Sequence, residues 1–429
     1  MPSRGLPSIM ALCLLTTCIS IASDDGQTGT ELKDWTGHEL ANLLPLYEQF
    51  HMHPELSLAE RETAARLADE LRKTGADVTT DIGGHGVVAL LRNGDGPTVL
   101  VRTDLDALPV TENTGVPYSS KSSGVMHACG HDAHMTCLIG TARFLASHKN
   151  QWHGTVMLIG QPAEERVMGA AAMLKDGLYE RFAKPDYALA LHVDSALAAG
   201  HVAVLAGYCM ANTDGVEILV KGKGGHGAYP HTTVDPIVQA AQLILALQTI
   251  VSREVSPIEP AVITVGAIQG GTKNNVIPDI CRLQLTVRSY SSQVREQLLE
   301  AIQRKAKGIA ASCGAPEPEV KVTVGSPAVR NDEQLAVRAE QVFRAALGDA
   351  QVGPAEKSLA GEDFGLFSQG NVPILLFRLG SVSETQLAAW RRQGKTPPSL
   401  HSPEYCIEAG RTIETGIVAM SSLIVDLLK

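Results

Sequence analysis

The densest concentration of reactive side chains is the run His127-Ala128-Cys129-Gly130-His131-Asp132-Ala133-His134. Thiolate and imidazole are the strongest protein ligands for zinc-like divalent ions, and neutral imidazole suits several other metals. Cys129 and His131 stand two apart with Gly130 between them to allow a tight turn, so both can face one metal site. Asp132 suits the first turn of the helix that follows, where the helix dipole favours negative charge. A polar helix start with incidental histidines is the plain alternative. Three His, one Cys and one Asp within eight residues weigh against it. Upstream, Arg102-Thr103-Asp104-Leu105-Asp106-Ala107-Leu108-Pro109 follows a β-rich run. Its two acids can bind metal directly or accept the second N–H of a metal-bound His, and by themselves they read equally well as a charged loop. Gln161-Pro162-Ala163-Glu164-Glu165 also follows a strand-like run. Adjacent carboxylates leave the chain in different directions, so one can hold metal while the other takes a proton from an attacking water. His192 closes a further apolar run and is expected at the end of a strand.

The elements that must position these residues are legible from hydrophobic spacing. Ala64, Leu67, Ala68 and Leu71 form one face of a helix that stops at Gly75. Strands are expected at Gly86–Leu91, Thr98–Val101, Thr155–Ile159 and Tyr187–Leu191, with a helix at Ala133–Ser147. Alternating strands and helices imply an α/β catalytic domain with a mostly parallel sheet and helices on both faces. The pattern changes near Tyr208. Strands at Val216–Lys221, Ala261–Ala267, Cys281–Val287 and Glu319–Val324 enclose helices at Val234–Val251 and Ser291–Ser312. That β-α-β-β-α-β order resembles the ferredoxin-like motif and can close as a unit of its own. A helix at Glu333–Leu347 follows. The expected organisation is residues 31–208 and 328–429 as one catalytic domain, interrupted by an inserted domain at 209–327.

Composition removes several function classes. A net charge of -10 and the absence of a Lys/Arg cluster argue against a nucleic-acid partner, and an aromatic content of 4% leaves little for base stacking. Residues 1–22 read as an export signal: Arg4 is followed by the uncharged apolar stretch Ser8–Ala22, with small Ser20 and Ala22 before the expected cut. A buried first helix is the alternative, and lipid attachment at Cys18 a minor one. The mature chain is therefore expected to be exported, periplasmic or secreted, with no transmembrane anchor. Two of the eight cysteines, Cys13 and Cys18, fall in that segment, and the remaining six are too sparse for a disulfide-built scaffold.

Taken in order, these blocks resemble the M20 metallopeptidase family, specifically its amidohydrolase branch of hippurate hydrolases, aminoacylases and auxin-conjugate hydrolases. The likeness runs from His53-Pro54-Glu55-Leu56-Ser57, through the blocks above, to Leu400-His401-Ser402-Pro403. It includes Gly224-Gly225-His226-Gly227-Ala228-Tyr229-Pro230-His231, Gly271-Thr272-Lys273-Asn274-Asn275-Val276-Ile277-Pro278-Asp279 and Gly361-Glu362-Asp363-Phe364. The resemblance implies two divalent metal ions per subunit (Zn, Mn, Co or Ni), with Cys129, His131, Glu165, His192 and His401 at the ligand positions. It implies Glu164 as general base and Asp106 as the residue that orients a ligand. Asp104 stands where other branches carry a metal-binding His. The inserted domain would be a lid that also makes a homodimer, with His226 reaching the scissile carbonyl, often from the partner subunit. Asn275 and Arg288 would hold the substrate carboxylate.

The function so implied is hydrolysis of the amide bond in an N-acyl or N-aroyl amino acid. A dipeptidase or carboxypeptidase acting on short peptides shares the chemistry and differs in the acyl pocket. An exported protein that binds metal or peptide without turnover is the rival of another class, and the intact Glu164-Glu165 pair speaks against it.

Overall fold

Helix α1 (Asp25–Met52) and helix α2 (Arg61–Arg72) open the described part of the chain. The structure is a computed structural model that describes residues 25–429. The expected export signal and Cys18 lie outside the described residues. Ala64, Leu67, Ala68 and Leu71 form the buried stripe of α2, and Gly75 turns the chain away at φ +82°. Next come β1 (Asp77–Ile82), β2 (Gly86–Asn93), β3 (Thr98–Asp104), α3 (His131–Ser147), β4 (Gly154–Gln161), β5 (Tyr187–Ala198) and β6 (Val202–Val204).

The middle of the chain builds β7 (Asn212–Lys221), α4 (Pro236–Arg253), β8 (Ala261–Gly270), β9 (Ile280–Ser289), α5 (Ser292–Ser312) and β10 (Glu319–Val324). These strands form their own four-stranded sheet in the order β8-β9-β7-β10, with every neighbouring pair antiparallel. Burial alternates residue by residue along β7, so one face packs on α4 and α5. Asp235 caps α4 ahead of Pro236, and Ser291 caps α5. The chain enters this unit through Gly207–Met210 and leaves through Val329–Asn331, which pair antiparallel.

Helix α6 (Glu333–Leu347), β11 (Val352–Pro354), β12 (Ile374–Val382) and α7 (Ala409–Leu427) complete the fold. The main sheet has eight strands in the order β1-β2-β4-β3-β5-β12-β6-β11. Its centre, β4-β3-β5-β12, is parallel, and antiparallel pairs flank it. Helices α1, α2, α3, α6 and α7 cover one face, with Leu43, Leu67, Phe144, Phe343 and Ile417 in the core. The other face carries Leu100, Met157, Met173, Leu178, Phe364 and Leu376 beneath short helical segments. Among the described residues, no helix is long and apolar enough to cross a membrane.

One expectation is corrected. His192 does not end its strand: β5 continues to Ala198. Pairing with β3 stops at Ala190, while pairing with β12 continues beyond it. His192 therefore sits where one flank of the strand opens.

Candidate metal centre

Three adjacent strands, β4, β3 and β5, run parallel, so the ends of β4 and β3 lie beside the flank that β5 opens past Ala190, on the side where open α/β sheets place their ligands. Asp104 ends β3 and leads to Asp106, Gln161 ends β4 and leads to Glu164-Glu165, and His192 follows on β5. Helix α3 begins at His131, directly after Gly130 at φ +79°, a left-handed conformation that glycine adopts without the Cβ penalty. This turn brings Cys129 and His131 to one place. His401 arrives from the loop before α7, at φ +68°, and its N–H donates to Ala128 O at 2.9 Å. Positive φ at His401, Ala163 and Val167 concentrates backbone strain around the site.

Ligand atoms of Cys129, His131 and His192 lie within 4.8 Å of one another, as do those of Cys129, Glu165 and His401, and those of His131, Glu164 and Glu165. Cys129 Sγ is 3.6 Å from His192 Nε2, and Glu165 Oε1 is 3.4 Å from His401 Nε2. Glu164 Oε2 and Glu165 Oε1 each stand 3.9 Å from His131 Nε2. All six residues expected to hold or serve metal thus share one site, and all but His131 line a cleft of about 480 Å³.

The donor set fits divalent ions on two structural grounds. His131 Nε2 and Glu165 Oε1 are buried without a hydrogen-bond partner, which is costly unless something coordinates them. The tautomers also point inward. His131 Nδ1 donates to Asp106 O at 2.8 Å and His192 Nδ1 to Val193 O at 2.8 Å, leaving both Nε2 lone pairs facing the cluster.

Asp106 organises more than one residue of the cluster. Its carboxylate accepts the N–H of Glu164 at 3.1 Å, the N–H of Glu165 at 3.0 Å and the hydroxyl of Ser57 at 2.6 Å. Its Oδ1 also lies 3.5 Å from His131 Nδ1. Asp104 receives His134 Nδ1 at 2.7 Å and Arg102 Nη1 at 2.7 Å. His134 Nε2 accepts the N–H of Val193 at 3.0 Å, the ladder position that β3 has vacated. Both nitrogens of His134 are therefore engaged, and it is a strut. His127 is buried with neither nitrogen bonded, and burial depresses its pKa to about 4.

Electrostatics follow from this crowding. Burial pushes the Cys129 thiol up, and burial together with Glu362 raises Glu164 well above the carboxylate range. Burial opposes charging of His131, yet Asp104 and Cys129 hold its pKa above the ordinary value. Burial, then His134 and Arg378, keep His192 neutral.

The structure does not bring every expected residue here. His226 is exposed on the short strand Gly225–His226, paired with Val276–Ile277 beside Asn275, and neither His226 nor Asn275 lines the cleft. Arg288 does line it, so the Asn275–Arg288 clamp is not assembled by one chain. Sequence reasoning gave no role to Arg102, Gln161, Glu362, Asp363 or Arg378. Arg102 pairs with Glu362 at 2.9 Å and Asp363 at 3.3 Å, tying β3 to the segment beside Glu164. The missed signal is a charged residue inside an apolar strand, as Arg102 is in β3 and Arg378 in β12.

A mixed, mostly parallel α/β sheet with a clustered Cys/His/Glu centre at its strand ends defines a metallohydrolase architecture. Residues 100–391 match the model of peptidase family M20/M25/M40. The hippurate hydrolase of Campylobacter jejuni is 39% identical over 325 residues, 75% of this chain and 83% of that protein. Thermostable carboxypeptidase 2 of Saccharolobus solfataricus is 35% identical over 388 residues, 88% of this chain and 92% of that protein. A Bacillus subtilis crystal structure, described as a dinuclear metal binding peptidase from the M20 family, superposes with a TM-score of 0.76 at 32% identity, covering 91% of this chain and 98% of that one. The chain belongs to peptidase family M20, and is thereby a metal-dependent hydrolase acting on amide bonds.

Proposed function

We propose that the protein hydrolyses N-acyl or N-aroyl amino acids to a carboxylic acid and a free amino acid. In this reading Cys129, His131, Glu165, His192 and His401 hold two divalent ions, for which Zn, Mn, Co and Ni all suit the mixed thiolate, imidazole and carboxylate donors. The observation that carries it is the shared cleft: Glu164 stands beside the ligand cluster, and Arg288 lines the same space with no ion-pair partner among the described residues. An unpaired guanidinium suits a substrate carboxylate, which it can grip bidentately.

Bound there, divalent ions would supply Lewis acidity to the attacking water and the scissile carbonyl. Glu164 takes the proton from that water and returns it to the leaving amine nitrogen. Burial and Glu362 raise its pKa, which fits it to both transfers. Asp106 fixes the backbone of Glu164 and Glu165, so base and ligand keep their spacing. His226 serves from a second copy of the chain, stabilising the oxyanion when the lid closes; its exposure away from its own chain's cleft supports this homodimer. Export to the periplasm or beyond belongs to the same reading, on the strength of the apolar Ser8–Ala22 stretch.

The test is Glu164→Ala, which should bind metal nearly as the wild type does and lose about 10²–10⁴-fold in turnover. Retained turnover in the metal-replete variant ends this mechanism. The likeness to a carboxypeptidase supports a second reading, cleavage of short peptides. Hippurate, N-acetyl amino acids and dipeptides assayed side by side separate the two.

A further inference from the structure

Arg378 is the charged side chain in the cleft that the chemistry above leaves unused. It stands on β12 as the parallel partner of His192 on β5. Register partners point to the same face of a sheet, so Arg378 emerges beside His192 and lines the same cleft. Only 9% of it is exposed. Among the described residues its sole hydrogen-bond acceptor is the thioether of Met210, and it makes no ion pair.

Arg102 supplies the contrast. It is buried more deeply on the same sheet, at 2% exposed, and the fold surrounds it with Asp104, Glu362 and Asp363. A structural guanidinium in this protein is given counter-ions, as buried charges ordinarily require. Arg378 is given none. Arg288, reaching the same cleft from β9, bonds only Thr286 Oγ1 and Val287 O. One bidentate guanidinium satisfies one carboxylate. Two cations without protein counter-ions leave room for two anionic charges on the ligand.

We infer that Arg378 binds a second carboxylate of the substrate, so that the preferred substrates are dianionic N-acyl amino acids. This rests on the N-acyl amino acid reading and narrows it. The second carboxylate can come from an acidic amino-acid side chain or from a dicarboxylic acyl group, and the assay distinguishes these sources. N-acetyl-L-glutamate tests the first against N-acetyl-L-glutamine, and N-succinyl-L-alanine tests the second against N-butyryl-L-alanine.

The metal-replete wild type should show at least a tenfold higher kcat/KM for one dianion than for its matched monoanion. Arg378→Met should lower that preference by about tenfold to a hundredfold, the span of a charge-assisted hydrogen bond, and Arg378→Lys should recover part of it. A ratio measured within one preparation does not depend on the folded fraction, so partial misfolding does not blur the result. Absence of dianion preference in the wild type overturns the inference. So does an equal loss on all four substrates, which would assign Arg378 to the reacting centre or to the carboxylate that Arg288 holds. If dipeptides alone are cleaved, the N-acyl reading falls, and the same variants are judged on Ala-Glu against Ala-Gln.

Discussion

Asp106 offers the sharpest quantitative test of the site. Asp106→Asn keeps the volume and removes the charge of a residue that is 1% exposed. The carboxylate now accepts two backbone N–H groups and one hydroxyl. With the amide oxygen toward Glu164, the NH₂ meets the N–H of Glu165, and one buried donor loses its acceptor. Ser57 can turn its hydroxyl to accept instead. An unsatisfied buried donor costs about 1–3 kcal/mol, and the surviving bond loses its charge assistance, so the variant should lose about 2–4 kcal/mol in stability. Asp106→Ala frees both N–H groups and should lose about 3–6 kcal/mol. Because the Glu164-Glu165 backbone loosens, kcat should fall about 10²-fold or more, the cost of misplacing a reacting group by roughly 1 Å. The sign with pH is also fixed. Burial opposes ionisation of Asp106, but the nearby His131 imidazole and the hydrogen bonds from Ser57 and the Glu165 N–H win and hold its pKa below the ordinary value. Its contribution is therefore present above the normal carboxylate range and lost on acidification, and the Asn variant should show a flatter acid limb. Urea unfolding of metal-free protein at several pH values, with kcat of the metal-replete enzyme, measures all of this. An Asn variant within about 0.5 kcal/mol of wild type, with wild-type kcat, would refute the reasoning.

Gly130→Ala places a Cβ 2.6 Å from Val193 Cγ2 at φ +79°, so strain and overpacking should cost about 2–5 kcal/mol and weaken zinc binding at least tenfold in calorimetric titration. His51 is buried between Asp132 at 2.6 Å and Glu112 at 3.3 Å; burial opposes its charge, the two carboxylates prevail, and its pKa rises to about 10. A raised His pKa stabilises fully below its ordinary 6.5 and is lost as pH climbs through about 10, while Glu112, lowered from 4.5 to about 2, contributes above 4.5 and is lost toward 2. His51→Gln should accordingly flatten the fall of Tm between pH 6.5 and 10, and a curve parallel to wild type would contradict the assignment. Excess chelator should abolish amide hydrolysis and lower Tm by several degrees, with both restored by zinc or manganese; an unchanged Tm would mean that the unpartnered His131 Nε2 and Glu165 Oε1 hold no ion.

The sequence carried the inserted unit almost element by element, because β7 alternates with period two and α5 shows a buried stripe at Val294, Leu298, Ala301 and Ile302. It did not reveal α7, which is buried over most of its surface and leaves only a narrow polar stripe at Arg411, Glu414, Ser422 and Asp426. It carried β5 only to Leu191, since apolar content thins out where the strand leaves β3 and continues beside β12 alone.

What the chain determined by itself was the inventory of the site: the donor types are covalent facts, and they lie in short runs whose internal geometry is local. Which of those donors converge was decided only by strand order and register. His131 turns its Nε2 to the Cys129, His192 and Glu165 cluster while His134, three residues on, becomes a strut between Asp104 and Val193. Arg378 looks like a stray charge in an apolar strand until the sheet sets it beside His192. Asn275 and Arg288, paired by the family resemblance, do not meet in one cleft because Arg288 stands on the interior strand β9 of the four-stranded sheet, while Asn275 precedes the separate pairing of Val276–Ile277 with Gly225–His226. A residue's chemistry is fixed where it is written in the chain, but its partners are chosen by contacts between segments far apart in sequence.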